Sequence, residues 1–491
     1  MSKLEKTERT ALPQGTEKRT KYFLIGLIVC VLVYRFLKLQ MENDDYFMMS
    51  NWREFLKIGF YTKDPLSMHH EYNCTLEKWL SCAIVYYINK WFGLTGFKVA
   101  VTSAMAIVVY LIYRMNRYVS HNDLLSVLFS AVTAFALLPY MTIRPQTLTA
   151  IILVLWVFCL EHFMQKNCAK WLVPLPFLAC LDMQLHSTQW PCLFIAMLPY
   201  LADFTLKSGK PQINWKQKGE LLLSAMISFA VLFINPYGAQ SVFYIFRSYG
   251  DPTMSSTISE LLQPSIWNTD WLIMSVALLV AFTLGDKKMP VRYYLLCLGF
   301  YVFGCLHLRN AIYYYLAGSF VLCYMMRVKE IHLKYNLIPV LPIILCGAVA
   351  SSYSTKEDDY IYKETLRRLA SEYGVNGENI YCNFNCGSYA DWAGYHPYID
   401  GRAEVYLKKV NGVEDSFKEE MDLQKGKIWY KDFLDKYDFD YLIVEKDYEP
   451  AFYNNLLHDS AYKVLFSVTD KDADDETANR CTVFAPIQSG K

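Results

Sequence analysis

Residues 42–79 read ENDDYFMMSNWREFLKIGFYTKDPLSMHHEYNCTLEKW. Paired carboxylates stand at Asp44 and Asp45, and a His69-His70-Glu71 cluster follows, all just past the long apolar run Tyr22–Val33. Most of the chain around this stretch is apolar, so a polar loop this dense in carboxylates is poorly explained as scaffold. It reads as a loop that carries chemistry between membrane spans.

The surrounding composition sets the class. Of 491 residues, 54% are hydrophobic and 16% aromatic, and only 19% are charged. That balance lies outside the soluble range and indicates a polytopic membrane protein. A net charge of +1 gives no bulk attraction to nucleic acid. Most of the fourteen cysteines stand singly in apolar runs, as at Cys82, Cys159 and Cys297, and no disulfide framework follows from their number. No CxxC or HExxH pattern occurs, which argues against a structural metal site.

Lys3, Lys6, Arg9, Lys18, Arg19 and Lys21 precede the first apolar run, and no small-residue cleavage site follows it. Residues 1–21 therefore read as the cytoplasmic basic tail of an uncleaved anchor. Apolar segments approaching the ~30 Å hydrocarbon core fall at 22–40, 96–114, 122–140, 146–164, 170–186, 188–206, 218–235, 267–285, 290–307, 309–327 and 336–352. The shorter Trp79–Gly93 stretch carries Asn89 and Lys90. Treating it as an interfacial helix within an outer loop 41–95 puts the Lys/Arg clusters at Arg114, Lys166, Lys216, Lys287 and Lys329 on the cytoplasmic side.

The fold expected is a mostly α, polytopic transmembrane bundle of about eleven spans over 22–352. An extracytoplasmic α/β domain follows over 353–491. In that tail, helical patterns are predicted at 360–373 and 416–437, and strands at 379–382, 441–444, 463–468 and 482–484. Cys386–Tyr389 and His396–Arg402 read as turns, and Cys382 and Cys386 are spaced so that they could pair.

This sidedness gathers the polar residues at span ends on one face: Asp44, Asp45, Arg144, His186, Gln189, Asn235, His307, Arg309 and Asn310. A charge at mid-span costs about 2.5–3.5 kcal/mol on insertion scales. A one-sided collection from many helices is therefore the pattern of a site lined by helix ends.

The order of Asp44-Asp45, Asp64-Pro65-Leu66-Ser67, Leu76–Leu80, Leu185-His186, Asn235–Gly238, Arg309-Asn310 and Tyr398–Arg402 resembles bacterial members of the GT-C glycosyltransferase superfamily. These are related to protein O-mannosyltransferases and lipid A aminoarabinose transferases. The resemblance implies a polyprenyl-phosphate sugar as donor and a glycan, lipid or protein as acceptor, in a multi-pass bacterial cell-membrane enzyme. It implies an acidic base in the first outer loop, matched by Asp44 with Asp45 as second choice. Relatives often carry a His where Met48 stands, and His-Glu-Trp where Glu77-Lys78-Trp79 stands, which leaves Glu77 as the retained acid.

Arg309 and Arg144 are candidates for gripping the phosphate, since guanidinium donors match its oxygens. His307 and His186 stand with them. His186 lies one turn from Asp182, giving either an Asp–His pair or a structural hydrogen bond. Glu77, Glu71, Gln189 and Asn310 complete the candidate acceptor side, and Glu260 is a further acid. A divalent cation on His69, His70 and Glu71 is the lesser reading beside an exposed loop cluster, and no cofactor is required. Asp400-Gly401-Arg402 reads as a turn with a buried ion pair in preference to a lip over the acceptor. The alternatives are a lipid or glycan transporter or flippase, which should carry internal repeats that this chain lacks, or a catalytically degenerate glycan-binding relative.

Overall fold

The computed structural model describes residues 14–202, 204, 213–265, 267–284, 289–327, 359–469 and 478–487. The expected span at 336–352 lies outside them. Helices dominate the first two thirds: α1 (Gln14–Lys38), α2 (Asn43–Ile58), α3 (Trp79–Ser120), α4 (Asp123–Ala136), α5 (Pro145–Lys166), α6 (Pro174–Leu185), α7 (Trp190–Leu201) and α8 (Trp215–Ala230). Short turns of helix through 239–261 lead to Thr269–Leu284, Val291–Leu306 and Ala311–Met326.

Among the described residues three helices are long and apolar enough to cross a membrane, Lys18–Lys38, Trp79–Ser120 and Pro145–Lys166. The other expected spans within the described residues hold shorter helices. Pro174 and Pro199 interrupt the runs around α6 and α7, and α8 tightens into a 3-10 turn at Val231–Phe233. A 16-residue helix such as α8 rises roughly 24 Å, less than the hydrocarbon thickness.

The stretch expected to lie apart from the bundle is continuous with it. α3 runs 42 residues, and its helical backbone breaks at Gly93 (φ 55°, ψ −150°). Glycine tolerates that left-handed φ without steric cost, so the helix bends there into a Trp79–Phe92 arm and a longer Leu94–Ser120 arm.

The tail carries a five-stranded mixed sheet, with strands β1 (Asn379–Cys382), β2 (His396–Pro397), β3 (Tyr441–Glu445), β4 (Tyr462–Thr469) and β5 (Arg480–Pro486) in the order β2-β1-β3-β5-β4. β1 pairs in parallel with β2 and β3, while β5 pairs antiparallel with β3 and β4. The helix Tyr360–Tyr373 and all four longer strands lie where the sequence predicts them. The predicted helix 416–437 is two, Ser416–Gln424 and Tyr430–Lys436, divided at Gly426 with φ 68°.

Residues 384–393 form a helix where a turn is predicted. The Asn383 side chain starts it by accepting the Asn385 and Cys386 amides, the usual N-cap chemistry. That helix takes Cys386 with it, and Cys382 and Cys386 are both buried free thiols.

Helix Phe384–Ala393 packs along α2. Arg53 of α2 donates to the Asp391 and Trp392 carbonyls at 2.6 and 2.9 Å, and Asn43 donates to the Phe384 carbonyl at 3.1 Å. Gly387 permits a close crossing inside the tail: a Cβ there would stand 1.9 Å from the Ile399 carbonyl oxygen. Arg402 fastens the tail to the 59–78 segment. Its guanidinium donates to Asp64 at 2.8 and 3.0 Å and to Asp400, with both carboxylates fully buried. The ion-pair reading of Asp400-Gly401-Arg402 therefore holds, with Asp64 as its second acid.

Candidate functional site

The start of α2, the start of α5, the 3-10 turn Leu308–Asn310 and the tail turn after Asp400 converge on one cavity of about 290 Å³. Asp44, Glu77, Arg144, His186, His307 and Arg309 all line it. Residues drawn from five separate parts of the sequence thus share one hollow.

Asp44 is held by how α2 begins. Asp45, at the third helical position, accepts the Glu42 amide at 2.8 Å and is 2% exposed. Its carboxyl is spent on the helix end, as in half a capping box, and burial pushes its pKa well above the carboxylate range. Asp44, one residue earlier, turns to the cavity instead. Arg144, the residue before Pro145 opens α5, places Nε 3.1 Å from Asp44 Oδ2.

Arg144 also reaches Glu42 at 3.4 Å and contacts Glu260. Burial alone would lower its pKa, but Asp44, Glu260 and Glu42 outweigh that and hold it above the ordinary arginine value. Its charge is therefore already committed to three acids.

Arg309 differs. Its guanidinium lies over the Tyr249 ring at 4.9 Å, and among the described residues it makes no ion pair. His307 sends Nδ1 to the Leu261 carbonyl at 2.6 Å, and Lys409 of the tail donates to the Tyr249 carbonyl at 2.9 Å. Together these fix the 249–261 loop as one wall of the cavity.

Elsewhere in the cavity lining Glu77 Oε1 pairs with Lys78 Nζ at 3.1 Å, and Glu77 Oε2 accepts the Ser187 hydroxyl at 2.8 Å. Burial alone would raise the Glu77 pKa, but Lys78, His186 and Ser187 hold it below the ordinary glutamate value. Lys78 is likewise kept above the ordinary lysine value, against its own burial, by Glu77 and Glu404. Glu404 enters from the tail, and burial raises its pKa.

The remaining candidates lie elsewhere. Gln189 is 2% exposed behind His186, whose Nδ1 it meets at 3.2 Å while also accepting the Thr149 hydroxyl. Asn310 donates to the Phe303 carbonyl at 3.1 Å. Glu71 is exposed, 4.0 Å from His69 Nδ1 and away from the cavity.

Two readings of the histidines change. The Asp182–His186 side-chain pair does not form: only their backbones bond, and the Asp182 carboxylate is buried with no hydrogen-bond partner among the described residues. His186 follows the last residue of α6, where the chain has left the helix (φ −158°), so one-turn spacing no longer aligns the two side chains. His70 and Glu71 are exposed as expected of a loop cluster, but His69 is buried, stacked on Tyr72 at 4.4 Å and edged by Tyr398 and Tyr406. No group of three metal-ligating side chains occurs among the described residues.

Sequence reading passed over Lys78 and Glu404. Lys78 had a signal in its place beside Glu77. Glu404 had none, because its position depends on how the tail docks. An apolar crevice of about 60 Å³, lined by both arms of α3 and the start of α5, also reaches Arg144. The chain matches no known protein-family model and no curated protein.

Proposed function

We propose that this protein is an integral membrane glycosyltransferase of GT-C type. It moves a sugar from a polyprenyl-phosphate donor to a glycan, lipid or protein acceptor at the outer face of the cell membrane. One observation carries the reading: the unpaired Arg309 guanidinium and the Asp44 carboxylate face the same cavity. In this reading the chain crosses the bilayer about eleven times, with the tail outside, and works without cofactor or metal.

The reaction needs a base and a cation at opposite sides of the anomeric carbon. The acceptor hydroxyl attacks that carbon as the bond to the phosphate oxygen breaks. Its proton passes to the Asp44 carboxylate, whose Oδ2 lies 3.1 Å from Arg144 Nε. Polyprenyl phosphate departs with the bonding pair, and its growing charge is met by Arg309, whose donors are uncommitted. Arg144 holds Asp44 in place, and the apolar crevice at Arg144 suits the first isoprene units.

The test uses the full chain in proteoliposomes with a panel of labelled polyprenyl-phosphate hexoses and pentoses. Wild type is expected to transfer label to membrane acceptors. Asp44→Asn should retain the fold and lose about 10²–10⁴-fold in rate, the range of a general base. Undiminished turnover in that variant removes Asp44 as the base.

A further inference from the structure

The part of the cavity lining that holds Lys78 and Glu404 is built differently from an anion site. Lys78 Nζ has three donors, gives one to Glu77 Oε1 at 3.1 Å and lies 5.0 Å from the centre of the Phe47 ring. Among the described residues, Glu404 makes no side-chain ion pair, and the charges it senses most are Lys78 and then Glu77. Asn43 donates to the Phe384 carbonyl, but its Oδ1 is buried with no hydrogen-bond partner among the described residues. Asn385 of the tail lines the same wall.

Gly401 lets this wall close. A Cβ there would stand 2.8 Å from Ser388 Oγ and 3.0 Å from the Phe47 ring. The tail backbone therefore approaches α2 closely enough that a Cβ would crowd the Phe47 and Asn43 side chains.

Glu77, Lys78 and Glu404 sum to one negative charge, which does not suit a second phosphate. The wall instead offers uncommitted donors and acceptors side by side: ammonium hydrogens, carboxylate oxygens and an amide oxygen. A hydroxyl both donates and accepts, so a polyol can satisfy all three kinds at once. A polar group left unpaired in a closed site costs about 1–3 kcal/mol, which makes a wall of this kind selective for a ligand that completes it.

We infer that Glu404, with Lys78 and Asn43, reads the hydroxyls of the transferred sugar, so that the tail supplies the specificity of the site. The inference rests on the proposed transfer reaction. It assigns the wall to the donor sugar because Glu404, Lys78 and Arg309 line one cavity of about 290 Å³, so that a sugar on a phosphate held at Arg309 shares the hollow with them. Glu404 acts here by holding the substrate and takes no proton from it.

The experiment compares wild type, Glu404→Gln and Asp44→Asn as full chains in nanodiscs. The probes are a polyprenyl-phosphate hexose and its monodeoxy analogues, with thermal melts confirming that each variant folds. Wild type should discriminate against at least one deoxy analogue by tenfold or more in kcat/KM, roughly the effect of one lost hydrogen bond in a closed site. Glu404→Gln should raise KM for the parent sugar and abolish that discrimination. Asp44→Asn should lower kcat equally for every analogue. Wild-type discrimination at every position in Glu404→Gln overturns the inference. Altered selection among acceptors with donor discrimination intact overturns it too. If wild type transfers no sugar, the transfer reaction fails on its own terms, and saturation-transfer NMR with free methyl hexosides then decides the wall. Signals that vanish in Glu404→Gln support it, and equal signals or none from wild type overturn it.

Discussion

The two arginines of the cavity are chemically alike but hold opposite electrostatic positions. Arg144 is ringed by Asp44, Glu42 and Glu260, so a fourth anion would have to displace one of them. Arg309 makes no ion pair among the described residues and lies against the Tyr249 ring, and under the proposed transfer reaction this makes it the stronger site for a departing phosphate. Lysine would keep the charge at 309 but lose the planar fork that matches two oxygens at once. Arg309→Lys is therefore expected to lower kcat/KM by roughly 10–100-fold while leaving the melting temperature unchanged, as steady-state transfer assays beside thermal melts would show. Wild-type kcat/KM in that variant would move the phosphate away from Arg309. These residues were legible in the sequence because a charge beside an apolar span is costly and therefore conspicuous. Glu404 was not, since a glutamate in a charged tail stands out from nothing until the tail folds against α2.

Helices place these groups, and the details at their ends decide which side chain is used. Asp44 and Asp45 are indistinguishable as letters. Only the start of α2 separates them, by spending Asp45 on the Glu42 amide and leaving Asp44 to the cavity. Pattern also found the tail's long strands, which stand out as short runs of β-branched and aromatic residues buried almost throughout at β1, β3 and β5. It missed helix Phe384–Ala393, because FNCGSYADWA combines a mid-helix glycine with turn-forming residues. That glycine sets up a test with competing effects. Helix propensity alone favours Gly387→Ala by about 1 kcal/mol, but the added methyl would lie 1.9 Å from the Ile399 carbonyl oxygen. Backbone cannot step aside as a side-chain tip can, so overpacking at about 1–3 kcal/mol should win. Gly387→Ala is expected to lower the melting temperature, and a stabilised variant would mean that the crossing with Ile399 is looser than the structure gives.

At the scale of the whole molecule, the tail and the helical body are joined through buried charge. Arg402 balances Asp64 and Asp400 across that junction, an arrangement in which removing one partner costs more than the pair contributes. The tail's own interior handles acids differently. Glu449 accepts the Tyr381 hydroxyl, and burial pushes its pKa from 4.5 to about 8, with the nearby Glu445 charge adding to the shift. Folded Glu449 thus keeps a proton that the unfolded chain has released, and stability must fall as pH rises between those two values. Below pH 7 other groups act as well: burial lowers the pKa of His69, so its stabilising effect runs the opposite way, growing as pH rises through the ordinary histidine range. Above pH 7 such an imidazole is neutral both folded and unfolded, and Asp64, held below its ordinary value chiefly by Arg402 against its burial, is ionised in both states. Glu449 adds to this fall beside the other acids that burial raises, among them Asp45, Asp391 and Glu420. Thermal melts of the full chain should show the midpoint falling from pH 7 to about pH 8. In Glu449→Gln, which needs no proton to stay neutral, the decline over that interval should be shallower. An unchanged pH profile in the variant would mean that the glutamate ionises freely where it sits, and that the tail core is open to water around Tyr381.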